Sequence, residues 1–118
     1  MDAKTGRELW KLNVEDANQC GCNITAAPLV VKGKLIVGMA GGEYANRGFL
    51  DAYDPETGQR VWRFWTVPEP GQFGSHTWPK PDDPDPKRAN AWKVGGANVW
   101  QTPTIDPELG LIYFSTGQ

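Results

Sequence analysis

Three short stretches combine residue types that could hold a ligand. In Gly38-Met-Ala-Gly41-Gly42-Glu43-Tyr-Ala-Asn-Arg47-Gly48 a carboxylate directly follows two glycines. Glycine lets a ligand approach the backbone closely, and glutamate can offer two oxygens to a hard cation. Arg47 adds a fixed positive fork that suits a carboxylate. A flexible turn with solvated charges is the simpler alternative. In Gly95-Gly96-Ala97-Asn98-Val99-Trp100 permissive backbone leads into a large flat ring. Trp100 is then either a stacking platform for a planar ligand or ordinary packing between sheets. In Asn23-Ile24-Thr25-Ala26-Ala27-Pro28 the Thr25 hydroxyl could donate to an anion, or it is a satisfied hydroxyl at a strand start.

What must position these residues is written in a repeat. Asp2-Ala-Lys-Thr5-Gly6-Arg-Glu-Leu-Trp10 and Asp54-Pro-Glu-Thr57-Gly58-Gln-Arg-Val-Trp62 share Asp-x-x-Thr-Gly-x-x-x-Trp and lie 52 residues apart. A period of that size marks a solenoid, a propeller or an array. Each copy reads as a tight turn, with the aspartate accepting from backbone N–H groups and the glycine supplying positive φ. The tryptophan falls on the strand leaving the turn. Gly48-Phe-Leu-Asp-Ala-Tyr53 and Gln59-Arg-Val-Trp-Arg-Phe64 flank the second turn as strands. Pro28-Leu-Val-Val-Lys-Gly33-Lys-Leu-Ile-Val-Gly38 is a further hairpin. Residues 27–65 therefore predict one four-stranded antiparallel meander, the form of a propeller blade. Residues 1–12 predict the last turn and outer strand of a preceding blade. Residues 100–117 predict the first strands of a following one. The fold class is all-β with little helix, holding about 1.75 blades where a closed propeller has roughly 4–8. In that arrangement Thr25, Glu43 and Trp100 all sit at ends of inner strands, at one mouth of the channel. A carboxylate, an anion donor and a flat ring there suit a planar, polyanionic, metal-bound cofactor.

Between Thr66 and Gly95 the strand pattern stops, and residues 67–86 carry six prolines. Such a stretch cannot donate a regular ladder. Residues 66–95 predict a long surface loop, pinned by Trp78 and Trp92 and carrying the single histidine, His76, in solvent. No second acid, base or nucleophile has a spacing that would enlist His76 in catalysis.

Composition narrows the class. The 118 residues carry 14 glycines, 10 prolines and a net charge of −2. That charge argues against broad nucleic-acid binding, which favours a strongly basic face. No apolar run approaches the ~20 residues of a membrane helix. Cys20 and Cys22 are separated by one glycine. Two free thiols in a loop is the simpler reading; a local redox-sensitive disulfide and metal binding are the alternatives. Met1 leads straight into a turn motif with no signal peptide, and both ends fall inside the repeat, so the chain reads as a fragment. Its unpaired strand edges invite self-association. A non-catalytic, self-assembling β module or a propeller scaffold is therefore the competing reading.

These segments, in this order, resemble the pyrroloquinoline-quinone (PQQ)-dependent alcohol and methanol dehydrogenases over nearly the whole chain. The carriers are the two Asp-x-x-Thr-Gly-x-x-x-Trp copies, Ala27-Pro-Leu-Val-Val-Lys-Gly-Lys, the run from Gly41 to Asp54, Thr77-Trp78, Gly95 to Trp100, and Asp106 to Gly117. The resemblance implies an oxidoreductase built as an eight-bladed propeller, periplasmic, oxidising small alcohols with PQQ and Ca²⁺ or a lanthanide. It implies cofactor contacts at Thr25, Gly41, Gly42 and Trp100, with Ala40 where the family often has serine. Glu43 matches a metal-ligand glutamate, and Arg47 matches an arginine without an assigned role. Gln118 stands where the family usually has a metal-binding asparagine. The general base and the arginine that contacts the quinone have no match here. The resemblance thus implies an isolated chain that supplies part of a site and does not turn over.

Overall fold

The computed structural model describes residues 1–117. Its centre is a four-stranded antiparallel sheet in the order β1 (Leu29–Val31), β2 (Lys34–Gly38), β3 (Phe49–Tyr53) and β4 (Arg60–Trp65). The meander forms because every connection carries its turn residue. Lys32 and Gly33 both adopt positive φ in the β1–β2 hairpin. Between β3 and β4, Asp54 Oδ1 accepts from Glu56 N and Thr57 N at 2.9 and 3.0 Å, and Gly58 takes φ 73°. A separate hairpin pairs β5 (Thr104–Asp106) with β6 (Leu111–Tyr113). Among the described residues helix is confined to two four-residue turns, α1 (Ala17–Cys20) and α2 (Pro86–Ala89), and three short 3-10 turns. The fold is all-β, as the repeat predicts.

Register assigns the side chains to two faces. Ile36 pairs Ala52, Gly38 pairs Leu50, and these pair on to Trp62 and Phe64. Directly opposed residues share a face, so Ile36, Leu50 and Ala52 lie together and pack with Val99 and Ile112. Phe49, Asp51, Tyr53, Arg63 and Trp65 take the other face. There Phe49 joins Cys22 and Met39, with Val14 and Cys20 alongside. All five β3 residues are buried, because residues 14–22 cover one face and residues 97–112 the other.

The polar residues of the second face are closed on themselves. Arg63 donates twice to the fully buried Asp51, each bond 2.7 Å, and pairs with Glu15. Tyr53 Oη donates to Asp51 at 2.6 Å. The guanidinium lies 3.6 Å over the Phe49 ring. Burial raises the Tyr53 phenol well above its ordinary range, and the bond to Asp51 raises it further. Burial pulls the Arg63 guanidinium down, but its bonds to Asp51 and Glu15 outweigh that and hold it above its ordinary value.

Three segments differ from or refine the expectations. The Asp2–Gly6 turn forms, with Asp2 accepting from Lys4 N and Thr5 N. The residues after it form no strand among the described residues, where residues 8–14 make no backbone hydrogen bond to another segment. Cys20 and Cys22 are joined in a disulfide rather than free. Gly21, at φ 62°, turns the chain so that their Cα atoms lie 5.1 Å apart, inside the span a disulfide bridges. In the loop from Thr66 one indole, Trp92, reaches the blade as expected, while Trp78 packs within the loop. Trp78 lies where a Cβ on Gly95 would stand, and Trp92 stacks on Arg47 at 5.0 Å. The radius of gyration, 16.1 Å, exceeds the ~13 Å of a compact domain of about this length. The sheets thus form an open slab.

Candidate cofactor and metal site

Inner-strand ends converge at one rim of this slab. After β2, Ala40 and Asn23 exchange both backbone hydrogen bonds, at 2.7 and 3.3 Å. Two residues on, Thr25 Oγ1 donates to the Trp100 carbonyl at 3.0 Å. Gly96 N donates to Asn46 O and Gly48 N to Gly96 O, tying the glutamate loop to the strand that ends in Trp100. Residues 23–25, 40–48 and 96–100 are therefore one hydrogen-bonded patch. Close backbone approach explains the glycines. A Cβ on Gly48 would strike the Ala97 carbonyl, and one on Gly38 the Val99 carbonyl.

Glu43 sits in a 3-10 turn, Gly42–Tyr44, entered through Gly41 at φ 101°. Gly42 is buried and Glu43 exposed. Among the described residues the Glu43 carboxylate meets no donor and no cation. The turn rests on the disulfide segment: a Cβ on Gly41 would lie 2.9 Å from Gly21 O and 3.0 Å from Cys22 Cα. Asn46 holds the two together. Its Nδ2 donates to Gly41 O at 2.6 Å and Cys20 O at 3.2 Å, while its buried Oδ1 has no partner among the described residues. Asn46 is not legible as a positioning residue, because its acceptors Gly41 O and Cys20 O come together only in the fold.

Trp100 is 46% exposed. Gly117 lies against its edge, close enough that a Cβ would approach Nε1 to 2.7 Å. Two residues earlier, Asn98 pairs through its backbone with Gly117 and is 1% exposed, and both its side-chain polar atoms lack partners among the described residues. The Thr25 hydroxyl is engaged on the Trp100 carbonyl, so here it anchors the indole strand rather than presenting its proton outward. Arg47 points away from the rim. It donates to Val67 O and Glu69 and lies between Trp65 and Trp92, clasping the Pro-rich loop. His76 is exposed on that loop. Gln118 lies outside the described residues. No three His, Cys, Asp or Glu converge among the described residues, so Glu43 stands there without a second acidic or imidazole group to share a cation.

Comparison with known proteins fits this geometry. The family profile described as "PQQ: Glucose/ethanol/alcohol dehydrogenase, beta-propeller domain" matches residues 11–118. The chain belongs to that family. It is 43% identical to quinohemoprotein alcohol dehydrogenase ADH IIB of Pseudomonas putida, over 99% of this chain and 17% of that protein. It is 38% identical to the lanthanide-dependent methanol dehydrogenase of Methylacidiphilum fumariolicum, over 98% of this chain and 20% of that protein. Among solved structures, a europium-containing methanol dehydrogenase superposes with a TM-score of 0.81 at 38% identity, over 98% of this chain and 22% of that one. The chain spans about a fifth of the length of these relatives.

Proposed function

We propose that this chain forms one side of the cofactor and cation site of a PQQ-dependent dehydrogenase that oxidises small alcohols. The observation that carries the reading is the bonded patch uniting Thr25, Gly41 to Glu43 and Trp100 at one rim. Its residues fit such a group. Among the described residues Glu43 is an exposed carboxylate without a partner, Trp100 offers a half-exposed ring, and the Asn98 amide two residues before it is buried and unsatisfied. Buried polar atoms without partners are rare enough to need an explanation.

PQQ, when bound, supplies the two-electron oxidising power that no side chain has. The chain's own residues do the rest. Trp100 gives the quinone plane a face, Gly41 and Gly42 keep the opposite approach free of side chains, and Glu43 gives one ligand to Ca²⁺ or a lanthanide. Gln118 is a second ligand by its position after Gly117. Thr25 contacts a cofactor carboxylate once its hydroxyl turns from the Trp100 carbonyl. A general base and the remaining cation ligands come from outside these residues. The chain alone therefore binds weakly and does not oxidise alcohols, and the intact enzyme works in the periplasm. Among the described residues no helix is long and apolar enough to cross a membrane.

Fluorescence titration with PQQ in the presence of Ca²⁺ or La³⁺ tests this reading. Binding quenches tryptophan emission in the native chain, and Trp100→Ala removes most of the quenching. Glu43→Gln removes its dependence on the cation. A titration with no quenching at any PQQ concentration overturns the assignment for this chain. Dye-linked alcohol oxidation by the isolated chain is expected to be nil.

The second reading, a self-associating β module, is favoured by the apolar side chains left open on β4. Val61, Trp62 and Phe64 are 50, 40 and 54% exposed. Unpaired β1 and β4 edges give the backbone route to the same end.

A further inference from the structure

The Glu43 turn is seated on a three-residue loop closed by a disulfide. Cys20 and Cys22 are bonded, and Gly21 between them holds φ 62°. Gly21 meets the turn from two sides. A Cβ on Gly21 would strike Tyr44 Cβ and Cγ at 2.7 Å, and a Cβ on Gly41 would lie 2.9 Å from Gly21 O. Gly41 and Tyr44 bracket Glu43, and Tyr44 N donates to Gly41 O at 3.0 Å to close the turn.

The loop is itself anchored. Gly21 N donates to Ala17 O, Asn46 Nδ2 donates to Cys20 O, and Asn23 exchanges backbone bonds with Ala40. Cys22 is 6% exposed and packs with Met39 and Phe49. The one residue that touches both sides of the Glu43 turn is nevertheless a glycine, which takes either sign of φ about equally readily. Gly21 keeps its left-handed form because the disulfide ties together the residues before and after it.

We propose that the Cys20–Cys22 disulfide positions the Glu43 carboxylate, so that the cation site is set in the oxidised chain and slack in the dithiol form; this rests on Glu43 being the cation ligand proposed above. Breaking the bond frees Gly21 to leave its left-handed conformation, and the turn loses the surface under Gly41 and Tyr44. The carboxylate has no side-chain partner among the described residues to hold it instead. Reduction proceeds by exchange with a dithiol. One thiolate of the dithiol attacks Sγ of the half-buried Cys20, and Cys22 leaves as a thiolate that takes up a proton. The second thiolate of the dithiol then closes on its partner sulfur and releases Cys20, which is protonated in turn. Two electrons and two protons pass from the dithiol to the chain. Disulfides persist in the periplasm and are rare in the cytosol, so the site becomes competent only in the compartment proposed for the enzyme.

Terbium titration, with emission excited through tryptophan, tests this on three forms: the oxidised chain, the chain reduced with dithiothreitol and desalted without oxygen, and Cys20→Ser. Circular dichroism reports the sheet. The oxidised chain should bind terbium through Glu43, so that Glu43→Gln removes the response. The reduced chain and Cys20→Ser should each bind at least about tenfold more weakly, the loss usual when a group that orients a metal ligand is removed. Cys20→Ser leaves Cys22 in the core, so it carries the comparison if full reduction loosens the sheet. Amide hydrogen exchange gives a readout without the cation: Tyr44 N should exchange faster in the dithiol form while the amides of β2 and β3 stay protected. A Glu43-dependent response of equal affinity in all three forms overturns the proposal and leaves the cofactor reading standing. Unchanged exchange at Tyr44 overturns it too. Loss of the sheet in both the reduced chain and Cys20→Ser overturns it as well, because the bond would then hold the fold rather than the turn. No Glu43-dependent response in the oxidised chain overturns the cofactor reading, and this proposal with it.

Discussion

The buried face of the blade and the rim at its end treat polar groups in opposite ways. On the blade face every strong group is matched: Asp51 receives Arg63 twice and Tyr53 once, and Arg63 also reaches Glu15. At the rim the Glu43 carboxylate, Asn46 Oδ1 and both polar atoms of Asn98 have no partners among the described residues. The blade face is closed and rigidifying, because a saturated buried network specifies one packing. The rim is chemically open. The satisfied charges hold the sheet, and the unsatisfied ones gather at the rim for which we propose a ligand.

The sharpest way to break that contrast is at Asp51. Asp51→Ala leaves a largely buried guanidinium with only Glu15, and losing one partner of a buried pair costs about 3–5 kcal/mol. Urea unfolding should place this variant at the low end of that range, because Glu15 remains. Replacing Asp51 and Arg63 together by leucine should recover most of the loss, since a packed apolar pair often matches a buried ion pair. A single Asp51→Ala costing less than about 1 kcal/mol would remove the distinction between the two regions.

Asn46 tests the boundary between them. Asn46→Ala strips the donor from Gly41 O and Cys20 O, and a buried acceptor left unpaired costs about 1–3 kcal/mol. Asn46→Asp should be worse than alanine, because a carboxylate would face both carbonyls. Equal urea midpoints for the two variants would mean that the brace contributes shape rather than hydrogen bonding.

How much of this was legible in the residues follows the same division. The repeat and its turn chemistry predicted the meander, because Asp-x-x-Thr-Gly dictates local backbone directly. The candidate residues are legible where glycines sit beside Glu43 and Trp100, since close backbone approach leaves a mark in composition. The Asp51–Arg63 network was invisible, because its members meet only once β3 and β4 pair in register. For Arg47 the residues offer a positive fork without an assigned role; its partners lie in the Pro-rich loop, and no local spacing reports a contact made with Val67 and Glu69. The Cys20–Cys22 bond needed the left-handed geometry of Gly21, which a glycine permits but does not announce.

The pH dependence separates the saturated face from the exposed turns. Tyr53 holds its proton more tightly folded than unfolded. Its contribution is complete below the ordinary phenol value of about 10 and is lost as pH rises beyond that toward the folded value. Tyr53→Phe should therefore flatten the alkaline limb of a stability–pH curve. The turn aspartates have the opposite sign. Hydrogen bonds from the Thr5 side chain and from Thr5 and Lys4 N lower Asp2, and those from Thr57 and Glu56 N lower Asp54. Their contribution is present above the ordinary carboxylate range and is lost as pH falls through the lowered values. Asp54→Asn should flatten the acid limb without touching the alkaline one.

The smallest effect on stability is expected at the residue on which the site most depends. Glu43 is exposed and touches no donor among the described residues, so Glu43→Gln should leave the urea midpoint within about 0.5 kcal/mol of the native chain. The same substitution should abolish the cation dependence of PQQ quenching. Only this pairing, no change in stability with loss of cation response, fits a carboxylate held ready for a ligand. A clear drop in stability would mean that Glu43 belongs to the scaffold, and the rim would then be no more open than the blade face.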